Sequence, residues 1–401
     1  MSRICWLSNA GWTRSGYGAQ TDVWSHKLRD LGHEVAVVAY HGLQGAPFDH
    51  AGVVTYPGST EDTYTQDILP GYYQHFNADL LITLMDAWVL DPGRLAGMNV
   101  AHWMPIDAVA SGTGISPYLS SMDRRVLEAG ASRPIAMSQF GHKVLLDAGF
   151  GSALYIPHGI DTQVFKPVED REELRERLGL KDKWVIGINA ANQDPVRKGI
   201  PEQMAAFAQF RQKHGNAILG IHTRTQTRMG VDLIRVAADY GIQDSVVFAD
   251  QFLVASGLMA PADLAKWYSV LDVFSNCSYG EGFGLPIVEA QACGTPVITT
   301  GFSSMIELTG SGWCVAGEDY WNRGHNAHWL RPYIHAITAA YESAYEQAAT
   351  MREDARTFAL TYDADKVLQE YWAPALKELL DEDDEPPLGV FAKDVLAEAA
   401  K

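Results

Sequence analysis

The sequence predicts an α/β protein made of two doubly wound halves that face each other across a cleft. Three observations lead to this prediction. The chain opens with a strand, a glycine-rich loop, a helix and a second strand, and this alternation starts again after a charged connector near residue 170. In addition, 401 residues, of which 47% are hydrophobic and 20% charged, suit two globular domains. Sheets of this kind bind ligands at the carboxyl ends of their strands, which would line the cleft.

The elements of the first half form a βαβ unit. A buried strand at residues 3–10 precedes the glycine-rich loop, and a helix at 19–31 is expected to turn Val23, Leu28 and Leu31 inward. Gly32 ends this helix, and the order of elements implies a parallel sheet. Further strands are predicted at residues 33–40, 78–85, 99–105, 133–138 and 153–159.

The second half repeats the alternation after a helical connector at residues 166–183. Strands are predicted at residues 183–191, 217–223, 245–250, 272–277, 295–300 and 312–317. Helices are predicted at residues 201–215, 229–241, 262–271 and 285–294. The last third is helical, with one or two helices over 333–360 and another over 363–380 that is interrupted near Pro374.

These elements divide the chain into four parts. Residues 1–168 are predicted to form the first domain and residues 169–360 the second domain, which face each other across the cleft. Residues 361–380 form a helix that returns to the first domain, and residues 381–401 form an acidic, loosely ordered tail. The sequence does not predict an oligomeric state.

Composition excludes several classes of function. The formal net charge is −18, which disfavours nucleic acid as a partner because the chain has no overall basic footprint. No run of about 18 apolar residues predicts an integral membrane segment, and the N-terminus is interpreted as a strand and not as a signal peptide. The four cysteines form no CxxC pair, which favours a reducing, cytoplasmic location.

The chemically richest stretch is "SYGEGFGLPIVEAQACGTPVIT", residues 278–299, which holds two glutamates eight positions apart. The loop precedes a helix whose N-terminus suits a phosphate, because its backbone N–H groups are free and its dipole is positive there. Glu281 would then meet a sugar, and Glu289 could accept hydrogen bonds from both ribose hydroxyls. Taken by spacing alone, a plain βα turn with two solvated glutamates explains the pattern equally well. The turn between the glutamates begins with Gly282, Phe283, Gly284 and Leu285.

The stretch "EGFGLPIVE" resembles the donor-site signature of retaining GT-B glycosyltransferases. More narrowly, it resembles the group that includes bacterial phosphatidylinositol mannosyltransferases, sucrose synthases and many lipopolysaccharide transferases. "IPHGIDTQVFKP" is similar to the stretch at the domain junction of that family, and "RKGIPEQMAAF" to the Lys-Gly stretch of its second domain. The resemblance covers roughly residues 1–375 and is most specific in the central block. It implies a GT-B fold with a nucleotide-sugar site in the second domain.

The resemblance also implies roles for individual residues of the donor site. Lys198 would neutralise the diphosphate leaving group, and Glu281 would act on the sugar. The family usually has an arginine six residues before the lysine, whereas this sequence has Asn192. Asn192 could donate to a phosphate but brings no charge, so Arg197 is the predicted replacement and Arg224 a weaker one.

On the first domain the resemblance points to a histidine and to the glycine loop. His102 matches a histidine that lies near the reactive carbon of the donor sugar, although a lone histidine after a strand is more often a core residue. Gly16 and Gly18 would let their loop close over the phosphates. Asp107 is a candidate contact for the acceptor.

The expected function is transfer of a hexose from a UDP-, GDP- or ADP-sugar to a hydroxyl acceptor, with retention of configuration. No Asp-x-Asp follows a strand, and no metalloprotease, hydrolase or Walker motif occurs, so neither a metal nor another cofactor is expected. The acceptor is expected to be soluble or polymeric, because no basic amphipathic helix marks a membrane surface. The alternatives are a nucleotide-sugar epimerase of related fold and a non-catalytic nucleotide-sugar-binding protein, which Asn192 would favour.

Overall fold

The computed structural model describes residues 1–109, 119–130 and 132–380, and the predicted tail at 381–401 lies outside these residues. Its first sheet has the strand order β3-β4-β2-β1-β5-β6-β7-β8 and is parallel except for β3. The strands are β1 Arg3–Asn9, β2 Glu34–His41, β3 Phe48–His50, β4 Val53–Tyr56, β5 Leu80–Leu84, β6 Val100–Met104, β7 Ser132–Ala136 and β8 Leu154–Tyr155. The helices of this part are α1 Gly16–Asp30, α2 Leu69–Phe76, α3 Ser121–Ala129 and α4 Gln139–Asp147.

The second sheet is parallel, with the order β11-β10-β9-β12-β13-β14, and a separate antiparallel hairpin, β15–β16, follows it. The strands are β9 Trp184–Asn189, β10 Ala217–His222, β11 Val246–Phe248, β12 Val273–Asn276, β13 Val297–Thr300, β14 Gly312–Val315, β15 Gly317–Asn322 and β16 Ala327–Pro332. The helices are α5 Arg171–Arg177, α6 Ile200–Arg211, α7 Leu233–Asp239, α8 Gln251–Ser256, α9 Pro261–Val270, α10 Leu285–Ala292 and α11 Ser304–Leu308. The two parallel sheets confirm the predicted α/β class.

Helix α1 differs from its prediction at both ends. It begins at Gly16 and not at residue 19, because the Ser15 side chain accepts a hydrogen bond from the N–H of Gly18 and caps the helix. Its inward face consists of Trp24 and Leu28 with small and polar side chains, whereas Leu31 is 37% exposed. Leu31 lies past the last turn of the helix, where the 3.6-residue periodicity no longer fixes the direction of the side chain.

Four helices follow the hairpin in the described residues up to 380: α12 Ile334–Gln347, α13 Arg352–Ala359, α14 Ala364–Val367 and α15 Ala373–Leu380. A π-helical turn, Leu368–Trp372, joins the last two helices, so the predicted interruption takes the form of a widened turn just before Pro374. Proline lacks the N–H that a regular α-helix would use, and a π turn tolerates that loss. None of the described helices is long and apolar enough to cross a membrane.

The last helices pack on the first sheet, as predicted. Trp372 is fully buried, and its ring lies 5.9, 5.6 and 5.1 Å from the rings of Trp6, Trp24 and Trp103. The side chain of Asn99 donates to the carbonyl of Leu379 at 2.9 Å. These contacts join the helices up to residue 380 to β1, α1 and β6. The last described helices are therefore part of the core of the first domain.

Candidate functional site

The candidate site lies where the carboxyl end of β12 faces the carboxyl ends of β5 and β6. Glu281 belongs to the loop between β12 and α10 and is 6% exposed. Its backbone N–H donates to Ser303 Oγ at 3.0 Å, and Ser304 Oγ donates to its carbonyl at 2.8 Å. These two serines precede or begin α11 and hold the loop in one position.

The Glu281 carboxylate is surrounded by donors. Lys198 Nζ lies 2.6 Å from Oε1, Ser278 Oγ donates to Oε1 at 2.7 Å, and Arg197 Nη1 lies 3.2 Å from Oε2. Burial alone would raise the pKa of Glu281, but the charges of Lys198 and Arg197 outweigh it and lower the pKa to about 2. Glu281 is therefore an anion at neutral pH, and the sequence-predicted residues Glu281, Lys198 and Arg197 do come together.

Local backbone geometry explains the position of the two cations. Asp194 Oδ1 accepts the N–H groups of Val196 and Arg197 at 2.7 and 2.8 Å, which forms a tight turn after β9. Gly199 follows with φ +55°, and a Cβ there would lie 2.4 Å from the carbonyl oxygen of Cys277. Only glycine fits at that position, so the turn directs Lys198 toward the loop after β12.

The three charged groups influence one another. Burial and the neighbouring Arg197 lower the pKa of Lys198, although Glu281 opposes the change. Burial would likewise lower the pKa of Arg197, but Glu281 and Asp107 outweigh it and raise the pKa above its ordinary value. Arg197 thus stays a fixed cation, and the Glu281 carboxylate favours the protonated form of Lys198.

Two aspartates of the first half face this cluster. Asp107 Oδ2, beyond the end of β6, lies 3.8 Å from Arg197 Nη1. Asp86 follows β5, and Tyr17 donates its hydroxyl to Asp86 Oδ2 at 3.5 Å. Burial and the charge of Asp107 raise the pKa of Asp86 to about 6, against the opposing effect of Arg197. The sequence analysis missed Asp86, although its place after the strand "LITLM" matches that of Asp107.

The two halves touch at the glycines of the donor loop. A Cβ on Gly280 would lie 2.1 Å from the carbonyl oxygen of Asp107, and one on Gly282 would lie 2.2 Å from Cβ of Pro105. Any side chain at either position would push the halves apart. The loop glycines therefore permit close approach of the opposite domain, whereas the sequence suggested only access for a ligand.

The remaining residues of the turn pack against the domain junction. Gly284, with φ +109°, precedes α10, and Phe283 places its ring 5.0 Å from His158 and 5.7 Å from Tyr362. Leu285 is 8% exposed, and a Cβ on Gly16 would lie 3.6 Å from its Cδ1. The glycine loop therefore does reach the start of α10.

Gly18 is explained by its own loop. A Cβ there would lie 2.1 Å from Thr13 Oγ1, and its N–H is the group that Ser15 caps. The structure thus gives Gly18 a role in folding the loop, and its predicted contact with phosphate stays a prediction.

Glu289 ends a chain of hydrogen bonds that begins in β10. Tyr268 donates to Glu289 Oε2 at 2.9 Å, and Asn189 Nδ2 donates to the Tyr268 hydroxyl at 2.7 Å. His222 Nδ1 lies 2.9 Å from Asn189 Oδ1. Burial raises the pKa of Glu289 to about 7, with the hydrogen bond from Tyr268 opposing the change. This chain fixes the Glu289 carboxyl group without a cation.

Asn192 has a different place from the predicted one. It is 2% exposed, and its amide donates both hydrogens, to the carbonyls of Arg224 at 3.0 Å and Val231 at 2.7 Å. Its Oδ1 accepts the N–H of Val231 at 2.9 Å. In this structure the side chain pins the loop after β10 and has no hydrogen left for a phosphate. Arg197, the predicted replacement, is the cation that reaches the site.

His102 lies within β6 and is 2% exposed. Its Nδ1 lies 2.8 Å from Thr83 Oγ1, and burial lowers its pKa to about 4. Over residues 1–109, 119–130 and 132–380, no hydrogen bond or ion pair joins His102 to Lys198 or Glu281. The structure does not bring His102 to the charged cluster and agrees with the alternative of a core histidine.

The chain resembles known glycosyltransferases in sequence. Residues 185–323 match the family model "Glycosyl transferases group 1". The chain is 28% identical over 370 residues to D-inositol 3-phosphate glycosyltransferase 2 of Catenulispora acidiphila, a match that covers 81% of this chain and 84% of the relative. A match to the D-inositol 3-phosphate glycosyltransferase of Acidothermus cellulolyticus is 30% identical but covers 41% of this chain and 37% of the relative.

Solved structures show the same architecture. The sucrose-phosphate synthase of Thermosynechococcus elongatus superposes with a TM-score of 0.74 at 19% identity, covering 94% of this chain and 99% of that one. HepE of Anabaena, solved in complex with UDP-glucose, superposes with a TM-score of 0.67 at 17% identity, covering 94% and 100%. The resemblance inferred from the donor motif is therefore confirmed, and the fold of the chain is GT-B.

Proposed function

We propose that this chain is a retaining glycosyltransferase that moves a hexose from a nucleoside diphosphate sugar to a hydroxyl acceptor without a metal ion. The observation that carries the proposal is the cluster of the buried Glu281 with the partly buried Lys198 and Arg197, beside the start of α10. An anion between two cations at a cleft suits a substrate that has both a diphosphate and a neutral, hydroxyl-rich sugar.

The cations and the carboxylates of the site suit different parts of the donor. Lys198 and Arg197 supply positive charge for the diphosphate, and the N-terminus of α10 adds backbone N–H groups. An ammonium group has three hydrogens, so Lys198 can hold Glu281 and a phosphate oxygen together. Glu281, held as a carboxylate, accepts hydrogen bonds from sugar hydroxyls, and Glu289 does the same for the ribose. HepE was solved with UDP and glucose, which makes UDP-glucose the first donor to test.

The chemical step breaks the bond between the anomeric carbon and the phosphate oxygen and forms one to the acceptor oxygen on the same face. The departing phosphate takes the acceptor proton, so no protein base is needed. Lys198 and Arg197 stabilise the charge that develops on the diphosphate, which is the part of catalysis that preorganised cations perform best. Because they supply this charge, the proposal requires no metal.

One observation favours a second course, inversion of configuration. An inverting enzyme needs a base on the face opposite the leaving group, and Asp86, with its pKa raised to about 6, has a suitable basicity on the acceptor side. Proton NMR of the product distinguishes the two courses. With an α-linked gluco-configured donor, retention predicts the small H1–H2 coupling of an α-glycoside. A β-glycoside would overturn the retaining mechanism and assign Asp86 as the base.

The proposed activity is tested without knowledge of the acceptor. Purified chain is incubated with UDP-, GDP- and ADP-hexoses, and nucleotide release is followed in the presence and absence of EDTA. Slow release from one donor, equal in both buffers and lost in Glu281→Gln, is expected. Release from none of the donors would favour a binding protein, and release that requires Mg²⁺ or Mn²⁺ after EDTA would refute the metal-free mechanism.

A further inference from the structure

We propose that Asp22, His26 and His50 form a binding site for a zinc-type divalent cation on the first domain. The ligand atoms of these three side chains lie within 4.8 Å of one another. The site is separate from the charged cluster of the donor loop, and the proposal does not depend on the proposed function.

The distances suit a small metal ion. Asp22 Oδ1 lies 2.9 Å from His50 Nε2 and 3.5 Å from His26 Nδ1. Two ligands bound tetrahedrally to zinc, with bonds of about 2.0–2.1 Å, lie about 3.3 Å apart. The observed distances lie on either side of this value. Small rotations of the three side chains would therefore bring all three ligand atoms within bonding distance of one ion.

Two elements present the ligands. Asp22 and His26 lie one turn apart on α1, so their side chains share one face of the helix. His50 ends β3, the edge strand that pairs antiparallel with β4. A site between a helix and a strand depends on tertiary structure and has no compact sequence motif, which is why the sequence predicted no metal.

Two backbone carbonyl groups orient the His26 ring. Its Nε2 lies 3.1 Å from the carbonyl oxygen of His50, and donation there leaves the lone pair on Nδ1. Nδ1 lies 2.7 Å from the carbonyl oxygen of Asp22. A metal ion with bonds of about 2.0 Å does not fit between these two atoms, so binding through Nδ1 requires the His26 ring to turn away from this carbonyl.

The three side chains offer a single divalent ion a suitable set of ligands. The centroids of the His26 and His50 rings lie 5.3 Å apart, and His50 Nε2 lies 2.9 Å from Asp22 Oδ1. One metal ion would use both imidazoles and the carboxylate. Two imidazoles and one carboxylate favour zinc, cobalt or nickel over magnesium or calcium. The Asp22 side chain is 50% exposed, which leaves room for a water ligand.

The position of the site gives it a structural consequence. The Trp12 ring packs against His50 with centroids 5.2 Å apart, and a Cβ on Gly11 would lie 3.2 Å from Cα of Asp22. A bound ion would therefore tie α1 to β3 beside the start of the glycine loop. We expect it to raise the melting temperature of the chain and leave nucleotide-sugar turnover intact.

The test is metal binding by the full chain after treatment with chelator. Titration with Zn²⁺ by calorimetry should show one tight site, and Co²⁺ should give the intense visible absorption of tetrahedral coordination. His50→Gln and Asp22→Ala should each weaken binding at least 10-fold. His335→Gln and Cys314→Ser, exposed side chains outside the group, should bind as the wild type does.

X-ray absorption of the zinc-loaded wild type keeps the test independent of the folding of any variant. The proposal predicts a shell of nitrogen and oxygen at about 2.0 Å with the scattering pattern of imidazole. Absence of saturable binding, a sulfur shell, or equal affinity in His50→Gln would overturn it. In those cases the three residues form only a hydrogen-bonded cluster.

Discussion

At the scale of the residue, the charged cluster makes a prediction about turnover. Glu281→Gln and Lys198→Ala should each reduce kcat/KM at least about 100-fold, which corresponds to about 2.7 kcal/mol of transition-state stabilisation. Gln cannot carry the charge that Lys198 and Arg197 hold in place, and Ala removes one of the two cations for the diphosphate. Steady-state kinetics with the active donor would measure both effects.

A matched control separates charge at the site from charge elsewhere. Glu318→Gln removes a carboxylate that is 52% exposed on β15 and should leave turnover unchanged. Melting temperatures of the site variants should stay near that of the wild type, because Arg197 and Ser278 still bind Glu281 when Lys198 is lost. Turnover near the wild-type value in either site variant would remove that residue from the mechanism.

The raised pKa of Glu289 predicts a pH effect on stability. Its pKa is about 7 in the folded chain against 4.5 as the ordinary value, so the folded state keeps a proton that the unfolded state loses between these values. Ionisation therefore costs stability as the pH rises from about 4.5 to 7 and beyond. Glu289→Gln removes this cost and keeps an acceptor for Tyr268. The difference in melting temperature, variant minus wild type, should therefore be more positive at pH 8 than at pH 5. An equal difference at both pH values would contradict the prediction.

At the scale of the element, one large side chain, Trp372, holds the last described helices on the first domain. Trp372→Ala should destabilise the chain by about 3–5 kcal/mol, the usual cost of removing a fully buried tryptophan. The cavity would lie among Trp6, Trp24 and Trp103, which belong to different elements and cannot close it together. Denaturant unfolding followed by tryptophan fluorescence and circular dichroism would measure the loss.

Trp321 supplies the control for this substitution. It lies on the β15–β16 hairpin and is 44% exposed, so Trp321→Ala should cost less than about 1 kcal/mol. If Trp372→Ala were as stable as Trp321→Ala, the last helices would not be part of the core of the first domain.

The hairpin is an element that links the two halves. Its His328 exchanges two backbone hydrogen bonds with Val109 of the first half, at 2.7 and 3.1 Å, and Leu330 donates to the carbonyl of Tyr279 in the donor loop at 3.0 Å. Tyr320 also packs on Tyr279, with ring centroids 5.3 Å apart. In this structure the halves are therefore joined at the cleft as well as at the two connections of the chain.

At the scale of the whole molecule, the two connections of the chain lie side by side. Ile160 pairs with Asp363, and its N–H and carbonyl bond to Tyr362 and Ala364 at 3.0 and 2.9 Å. Two adjacent strands of chain form a narrow joint about which domains can rotate. The contacts of Gly280, Gly282 and Val109 across the cleft belong to a closed arrangement.

Closure should depend on the donor. Small-angle scattering of the free chain should give a larger radius of gyration than this structure, and saturating nucleotide sugar should reduce it. A ligand bound by both halves favours the closed state, because it adds contacts that the open state lacks. Identical scattering with and without the active donor would count against a hinge at residues 160–170. His335→Gln, remote from joint and cleft, would serve as a control for the effect of substitution itself.

The sequence by itself determined the elements that carry the donor motif. The strand before Glu281, the helix that Pro286 opens and the stop at Gly294 follow from local rules of turn and cap, and local rules can be recognised in a sequence. The residues of "EGFGLPIVE", together with those of the junction and Lys-Gly stretches, sufficed for a resemblance that the comparisons confirm. The boundaries at residues 168 and 360, the cytoplasmic location and the assigned site roles stay predictions.

Tertiary structure alone decided which groups meet. Asn192 occupies the predicted position in the chain, yet its amide is used by a neighbouring loop, while Asp86 and Asp107 reach Arg197 from another domain. The sequence suggests that Gly280 and Gly282 give access to a ligand, whereas in the structure they lie directly against the opposite half. The physical reason is that charge and steric interactions act through space between residues far apart in the chain, whereas the patterns of a sequence record only neighbours along it.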